Sequence, residues 1–183
     1  MAWHAVVVMA LALLVVAAVA YAVSLYNALI QVKHQVDQAW SNIDVLLKQR
    51  HDELPKLVDA AQAYMGHERS LLEKLTVLRA RAATTGQGED RLATEAALTQ
   101  GVSQLLAVAE NYPQVRANEV FAVLLQRISA LEEQIAHRRE YYNAAVNINN
   151  VRMEQFPELF LATAAGLIRR SLFESLPAPS TGA

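Results

Sequence analysis

The chain contains no cysteine. That absence excludes disulfides, thiolate metal sites, cysteine nucleophiles and a cysteine-linked lipid anchor, and leaves the redox compartment open. Glycine and proline are scarce, at 6 and 5 of 183 residues. Ala, Leu, Gln, Glu and Arg prevail instead, which is the composition of long helices rather than of a sheet. A basic excess is also missing. With a net charge of −2, the chain offers no general attraction to nucleic acid, and none is expected as a partner. The histidines, His4, His34, His51, His67 and His137, are scattered. Di-iron bundles carry Glu-x-x-His pairs, whereas here Glu133 and His137 are four apart and His67 adjoins Glu68, so no metal or other cofactor is expected. Gly86-Gln87-Gly88 lacks both the length and the Lys-Ser/Thr of a phosphate loop. No Ser/His/Asp constellation is legible, and the chain reads as a non-enzyme.

What is present is one long apolar run, Ala5 to Leu25, with no charged residue before Lys33. A helix crossing a bilayer core needs about 20 apolar residues, and this run supplies them. A cleaved signal peptide has a basic start and about 7–15 apolar residues. The start here is Met1-Ala2-Trp3-His4, and although Ala20-Tyr21-Ala22 imitates a cleavage site, the run reads as a retained anchor in the lipid bilayer. Trp3 and Tyr26 stand where interfacial aromatics belong. Lys33, then Lys48 and Arg50, place the positive charge after the run, which predicts the N-terminus outside and the following domain in the cytoplasm.

Beyond the run, apolar residues recur at steps of four and three. Leu25, Leu29, Val32, Val36, Ala39, Ile43 and Leu46 form one seam in phase with the anchor, predicting a single helix from the membrane to about Asp52. Pro55 predicts a break near Asp52-Glu53-Leu54. A second seam follows at Leu57, Ala61, Tyr64, Glu68, Leu71, Leu75, Leu78 and Ala82, and a loop at Thr84–Gly88. A third helix runs from about Glu89 to Asn111 with Leu98, Val102, Leu105 and Ala109 in phase, ending before Pro113. Asn118 is a candidate N-cap for a fourth, with Phe121, Leu124, Ile128, Leu131, Ile135, Arg138, Tyr142 and Ala145 in phase, ending near Asn149-Asn150. The expected fold is all-α: a single-pass transmembrane helix continuous with an antiparallel up-and-down four-helix bundle, plus a short C-terminal amphipathic segment. The expected divisions are an N-terminal tail at 1–4, the transmembrane helix at 5–25, the bundle at 26–155, the amphipathic segment at 156–176 and a disordered tail at 177–183.

Charged residues in apolar seams must find partners or reach water, because an unpaired buried charge costs several kcal/mol. Glu68 and Arg138 are expected to pair across the core. Arg50 shares the phase of Leu29, Val36 and Ile43, with Asp44 or Glu132 as its acidic partner. Arg50, Glu68, Glu132 and Arg138 thus form an expected structural polar network. The C-terminal segment carries Phe156, Leu159, Phe160, Ile168, Arg169, Arg170 and Phe173, an amphipathic set suited either to a bundle end or to a lipid surface with anionic headgroups.

Particular residues carry a family resemblance. These are Tyr26-Asn27, Ala39 to Lys48 (AWSNIDVLLK), Arg50, Leu54 to Val58 (LPKLV), His67-Glu68, Tyr112-Pro113, Ala117-Asn118-Glu119, Phe121, Glu132, Ile135, Ala136 to Arg139 (AHRR), Tyr141-Tyr142-Asn143 and Phe156-Pro157. This ordered set resembles the LemA family of bacterial membrane proteins. The resemblance implies one N-terminal membrane helix in the bacterial inner membrane, an outside N-terminus and a cytoplasmic antiparallel bundle, with no catalytic residues or cofactor to transfer. The expected function is a non-enzymatic, membrane-anchored scaffold or adaptor for membrane-associated protein assemblies. Protein partners are expected, and the small residues of the anchor permit a homo-oligomer. Two alternatives stand beside it: a membrane-surface or membrane-remodelling protein acting through the C-terminal segment, and an enzyme with its site in the Glu68/Arg138 network.

Overall fold

The computed structural model describes residues 2–86 and 88–173. The expected tail at 177–183 and the last residues of the amphipathic segment lie outside this range. The fold is all-α, with no strand among the described residues. The chain divides into two compact units. One comprises Met1–Gln38 with Ala144–Arg170, and the other comprises Ala39–Asn143 with the chain from Ser171.

Helix α1 spans Ala2–Gln62 without interruption and carries Pro55 in its interior. The expected break at Asp52–Leu54 is therefore corrected. Proline has no N–H, so it leaves the carbonyl four residues earlier, that of His51, without its helical donor. Arg79 supplies the replacement: its Nε donates to the His51 carbonyl oxygen at 3.1 Å. The chain turns only after Gln62, where the N–H groups of Tyr64 and Met65 both donate to the Ala61 carbonyl and a 3₁₀ turn follows at Gly66–Glu68. Leu57 and Ala61 thus close α1 instead of opening the second helix, and Tyr64 is exposed.

Helix α2 is Arg69–Thr84. Helix α3, Glu89–Ala109, starts after Gly88, whose φ of 151° favours glycine, and has Glu89 and Asp90 in its first turn, where the helix dipole favours acidic residues. The short α4, Pro113–Arg116, begins on proline, which suits a first helical turn. Helix α5 is Glu119–Arg152. Asn118 caps it as the sequence predicts, accepting the Phe121 N–H on Oδ1 at 3.0 Å. A cis Phe156–Pro157 bond precedes α6, Glu158–Ala164.

Within the second unit, residue pairings fix the up-and-down topology. Along α1 and α3, Asp44 meets Arg91 and Arg50 meets Glu95, so those helices run parallel. Along α1 and α5, Trp40 meets Tyr142, Arg50 meets Glu132 and Glu53 meets Arg127, so those run antiparallel. Tyr112 donates to Glu68, and a Cβ added at Gly101 would fall 2.7 Å from Leu75 Cδ2, so α2 and α3 are antiparallel and in close contact. Leu54, Leu57, Ala61, Leu75, Leu98, Val102, Leu105, Phe121 and Ile128 belong to one apolar core. In the first unit, every residue of α1 from Trp3 to Tyr21 is exposed. That unit's buried cluster begins later, at Leu29, which packs with Met153 and Ala162.

Candidate functional site

Beside the apolar core of the second unit lies a cluster of charges. Arg50 and Glu95 both have side chains with 0% exposure. Arg50 Nη2 contacts Glu95 Oε2, while Nη1 donates to Glu132 Oε1 at 2.8 Å and to Thr99 Oγ1 at 2.7 Å. Thr99 passes its own hydroxyl proton toward Glu132 Oε2 at 3.1 Å. His51 Nε2 lies 3.2 Å from Glu95, and Arg91 bridges Asp44, which also pairs with Lys48 at 2.8 Å. One arginine on α1 is thereby tied to α3 and α5 at once, and charge-assisted bonds of this kind are stronger than neutral ones.

The carboxyl groups respond to two opposed effects. Burial pushes Glu95 up, but the hydrogen bond from His51 and the Arg50 charge outweigh it and hold Glu95 below the usual glutamate value. Burial likewise pushes Asp44 up, and Lys48 and Arg91 together bring it below the ordinary aspartate value. Burial draws Arg139 down, with Glu132 opposing and Arg50 reinforcing the shift.

A second arrangement in the same unit holds residues 171–173. Asn143 on α5 accepts the Phe173 N–H on Oδ1 at 2.8 Å and donates from Nδ2 to the Phe173 carbonyl at 2.9 Å. The Tyr142 hydroxyl donates to the Ser171 carbonyl at 3.1 Å. The Phe173 ring, 1% exposed, lies 4.4 Å beneath the Arg139 guanidinium and 6.4 Å from Trp40, whose own ring meets Tyr142 edge-on at 5.7 Å. In the first unit Asn150 repeats the device, clasping the Arg170 N–H at 3.0 Å and the Arg170 carbonyl at 2.9 Å.

Of the expected network, the structure brings Arg50 and Glu132 together and leaves out the other two. Glu68 is half-buried and receives the Tyr112 hydroxyl at 3.3 Å, and Arg138 is exposed. The expected Glu68–Arg138 pair is therefore corrected: on α5 the inward arginine is Arg139, one residue later. Of the segment expected at a lipid surface, Phe156, Leu159, Phe160, Ile168 and Arg169 are exposed, Arg170 is half-buried and binds Asp37 at 3.1 Å, and Arg169 pairs with Glu154. Phe173 is corrected to the interior, because Asn143 fixes its backbone. Sequence reasoning missed Glu95, His51, Thr99 and Arg139. Glu95 was accessible by one more step backward along the seam of Leu98, Val102 and Leu105.

A model described as the LemA family matches residues 39–181. The chain belongs to the LemA family. All residues of the buried charge cluster fall inside the match, whereas the apolar run precedes it. Among curated relatives, Magnetosome protein MamQ 1 and Magnetosome protein MamQ 2 of Paramagnetospirillum magneticum are each 24% identical to this LemA-family chain over 204 residues, covering 97% of it and 75% of their own length. Magnetosome protein MamQ of Magnetospirillum gryphiswaldense is 22% identical over 200 residues, covering 93% of this chain and 74% of its own. This LemA-family protein is membrane-associated, and among the described residues one helix, at the N-terminus, is long and apolar enough to cross a bilayer.

Proposed function

We propose that this LemA-family protein is a non-enzymatic, single-pass scaffold or adaptor of the bacterial inner membrane. Its N-terminus lies outside, and its bundle gathers membrane-associated protein partners, or further copies of itself, on the cytoplasmic side. The observation that carries the reading is α1. Its apolar, wholly exposed stretch and its bundle-forming stretch are one helix, so confinement to the membrane is built into the same element that holds the charge cluster. Confinement raises effective concentration, so modest bundle contacts suffice for assembly. The terminal nitrogens of Arg50 are committed to Glu95, Glu132 and Thr99, which favours a structural role for the cluster over catalysis.

Photo-crosslinking in native membranes tests the proposal, with probes on exposed bundle positions. Discrete protein adducts are expected from the full chain and from a version whose residues 5–25 are replaced by an unrelated membrane helix, and their loss when that stretch is deleted. Absence of adducts from the full chain would reject a scaffold. Because the chain lacks cysteine, a single cysteine introduced before the apolar run or in the bundle reports orientation through a membrane-impermeant maleimide.

A further inference from the structure

The first unit holds an apolar surface that the scaffold reading does not use. Helix α6 has two unlike faces. Glu158 and Ala162 are buried, and Ala162 packs with Met153 against Leu29 of α1. Phe160 on the other side is 66% exposed and Phe156, just before the helix, 80%, and their rings meet edge-on at 5.9 Å. Leu159 is also exposed. An aromatic pair turned to solvent beside a buried apolar seam needs a reason, since exposed apolar clusters mark interaction sites.

The place where α6 is pinned supplies that reason. Leu29 lies four residues past Leu25, the last residue of the apolar run, which is about 6 Å of helix rise. The headgroup layer adds roughly 5–7 Å to each side of the hydrocarbon core. The contact of α6 with α1 thus falls at the level of the headgroups of the bilayer that α1 crosses. Aromatic side chains favour that layer.

We propose that Phe156 and Phe160 form a second, peripheral membrane contact, inserting into the interface of the same bilayer that the anchor spans. The contact is apolar in character. Arg169 is engaged by Glu154, and Arg170 by Asp37 and, through its backbone, by Asn150. This proposal rests on the anchor reading, and its test separates the two.

The full chain carries no native cysteine, so Thr163→Cys, one helical turn beyond Phe160 and exposed, accepts an environment-sensitive nitrobenzoxadiazole label. Val16→Cys in the apolar run serves as reference. Both proteins are reconstituted in phosphatidylcholine vesicles containing phosphatidylcholine spin-labelled near the headgroup or, in a second set, near the end of the acyl chain. Quenching of the Thr163→Cys probe by the headgroup label and of the Val16→Cys probe by the acyl-chain label is expected. The Thr163→Cys signal should fall several-fold when Phe156→Ser and Phe160→Ser are added, while the Val16→Cys signal holds. Replacing part of the lipid with phosphatidylglycerol should leave quenching unchanged. If Val16→Cys is quenched and Thr163→Cys is reached only by aqueous iodide, the face is in water and the proposal falls. If neither quencher reaches Thr163→Cys, protein covers the face and the proposal also falls. Quenching that appears only with phosphatidylglycerol would overturn the apolar mode. Failure of Val16→Cys to be quenched would overturn the anchor and this contact together.

Discussion

The two halves of α1 have opposite designs. From Trp3 to Tyr21 the helix turns apolar side chains outward on every face. In the bundle its inward seam carries a fully buried arginine, Arg50, while charged residues such as Lys48 remain outside. A helix facing hydrocarbon needs no polar partner, because its backbone groups are already paired. A helix facing other helices gains little uniqueness from Leu-on-Leu contacts alone, and a buried ion pair fixes register at a cost in desolvation. The comparison teaches that one continuous helix is addressed to two solvents, and that the charge marks where the second begins to specify its neighbours.

The comparison breaks most directly if the bundle half is made to resemble the membrane half. Arg50→Leu leaves Glu95 buried without its main cation, and a loss of about 3–5 kcal/mol is expected in the thermal or denaturant unfolding of the detergent-solubilised full chain. The pH dependence sharpens the point. Glu95 and Asp44 have folded values below their unfolded ones, so they contribute stability that is fully present above about pH 4–5 and is lost as pH falls through the folded values. In Arg50→Leu the Glu95 value should rise, and the fall in stability between about pH 5 and 3 should flatten.

A smaller effect is expected at the proline. Arg79→Met removes the donor to the His51 carbonyl and should cost about 1–3 kcal/mol in the same assay. In the background of Pro55→Ala, which restores the helical N–H, that cost should shrink. The smallest effect separates two adjacent arginines. Arg138→Gln should change stability by less than about 0.5 kcal/mol, as for exposed substitutions generally. Arg139→Gln, by contrast, loses the guanidinium over Phe173 and should loosen the segment around Phe173, read as faster amide exchange at that residue.

The four longer helices and their order, the Asn118 cap and the participation of Arg50 and Glu132 were legible in the sequence, whereas the short α4 was not. The errors of register share one physical origin. Reading α1 in strict steps of four and three selects Ala39 and Leu46, whereas the buried residues are Trp40 and Leu47. On α5 the same habit selects Arg138 and Ala145, whereas Arg139 and Val146 are buried. A straight α-helix drifts about 20° per heptad from a 3.5-residue repeat, so over helices this long a strict heptad slips by one residue. The remaining misses came from partners distant in sequence. Nothing local announces that Arg79 will serve a carbonyl on α1, or that Asn143 will clasp Phe173.

The Arg79 contact has a mechanical corollary. A proline inside a helix frees the carbonyl four residues earlier and crowds it with its ring. In this chain the carbonyl is capped from α2, so α2 acts as a splint across a joint that the sequence places in α1. The continuity of α1 at Pro55 is therefore supported by a neighbour, and whatever lifts α2 would strip that carbonyl of its donor.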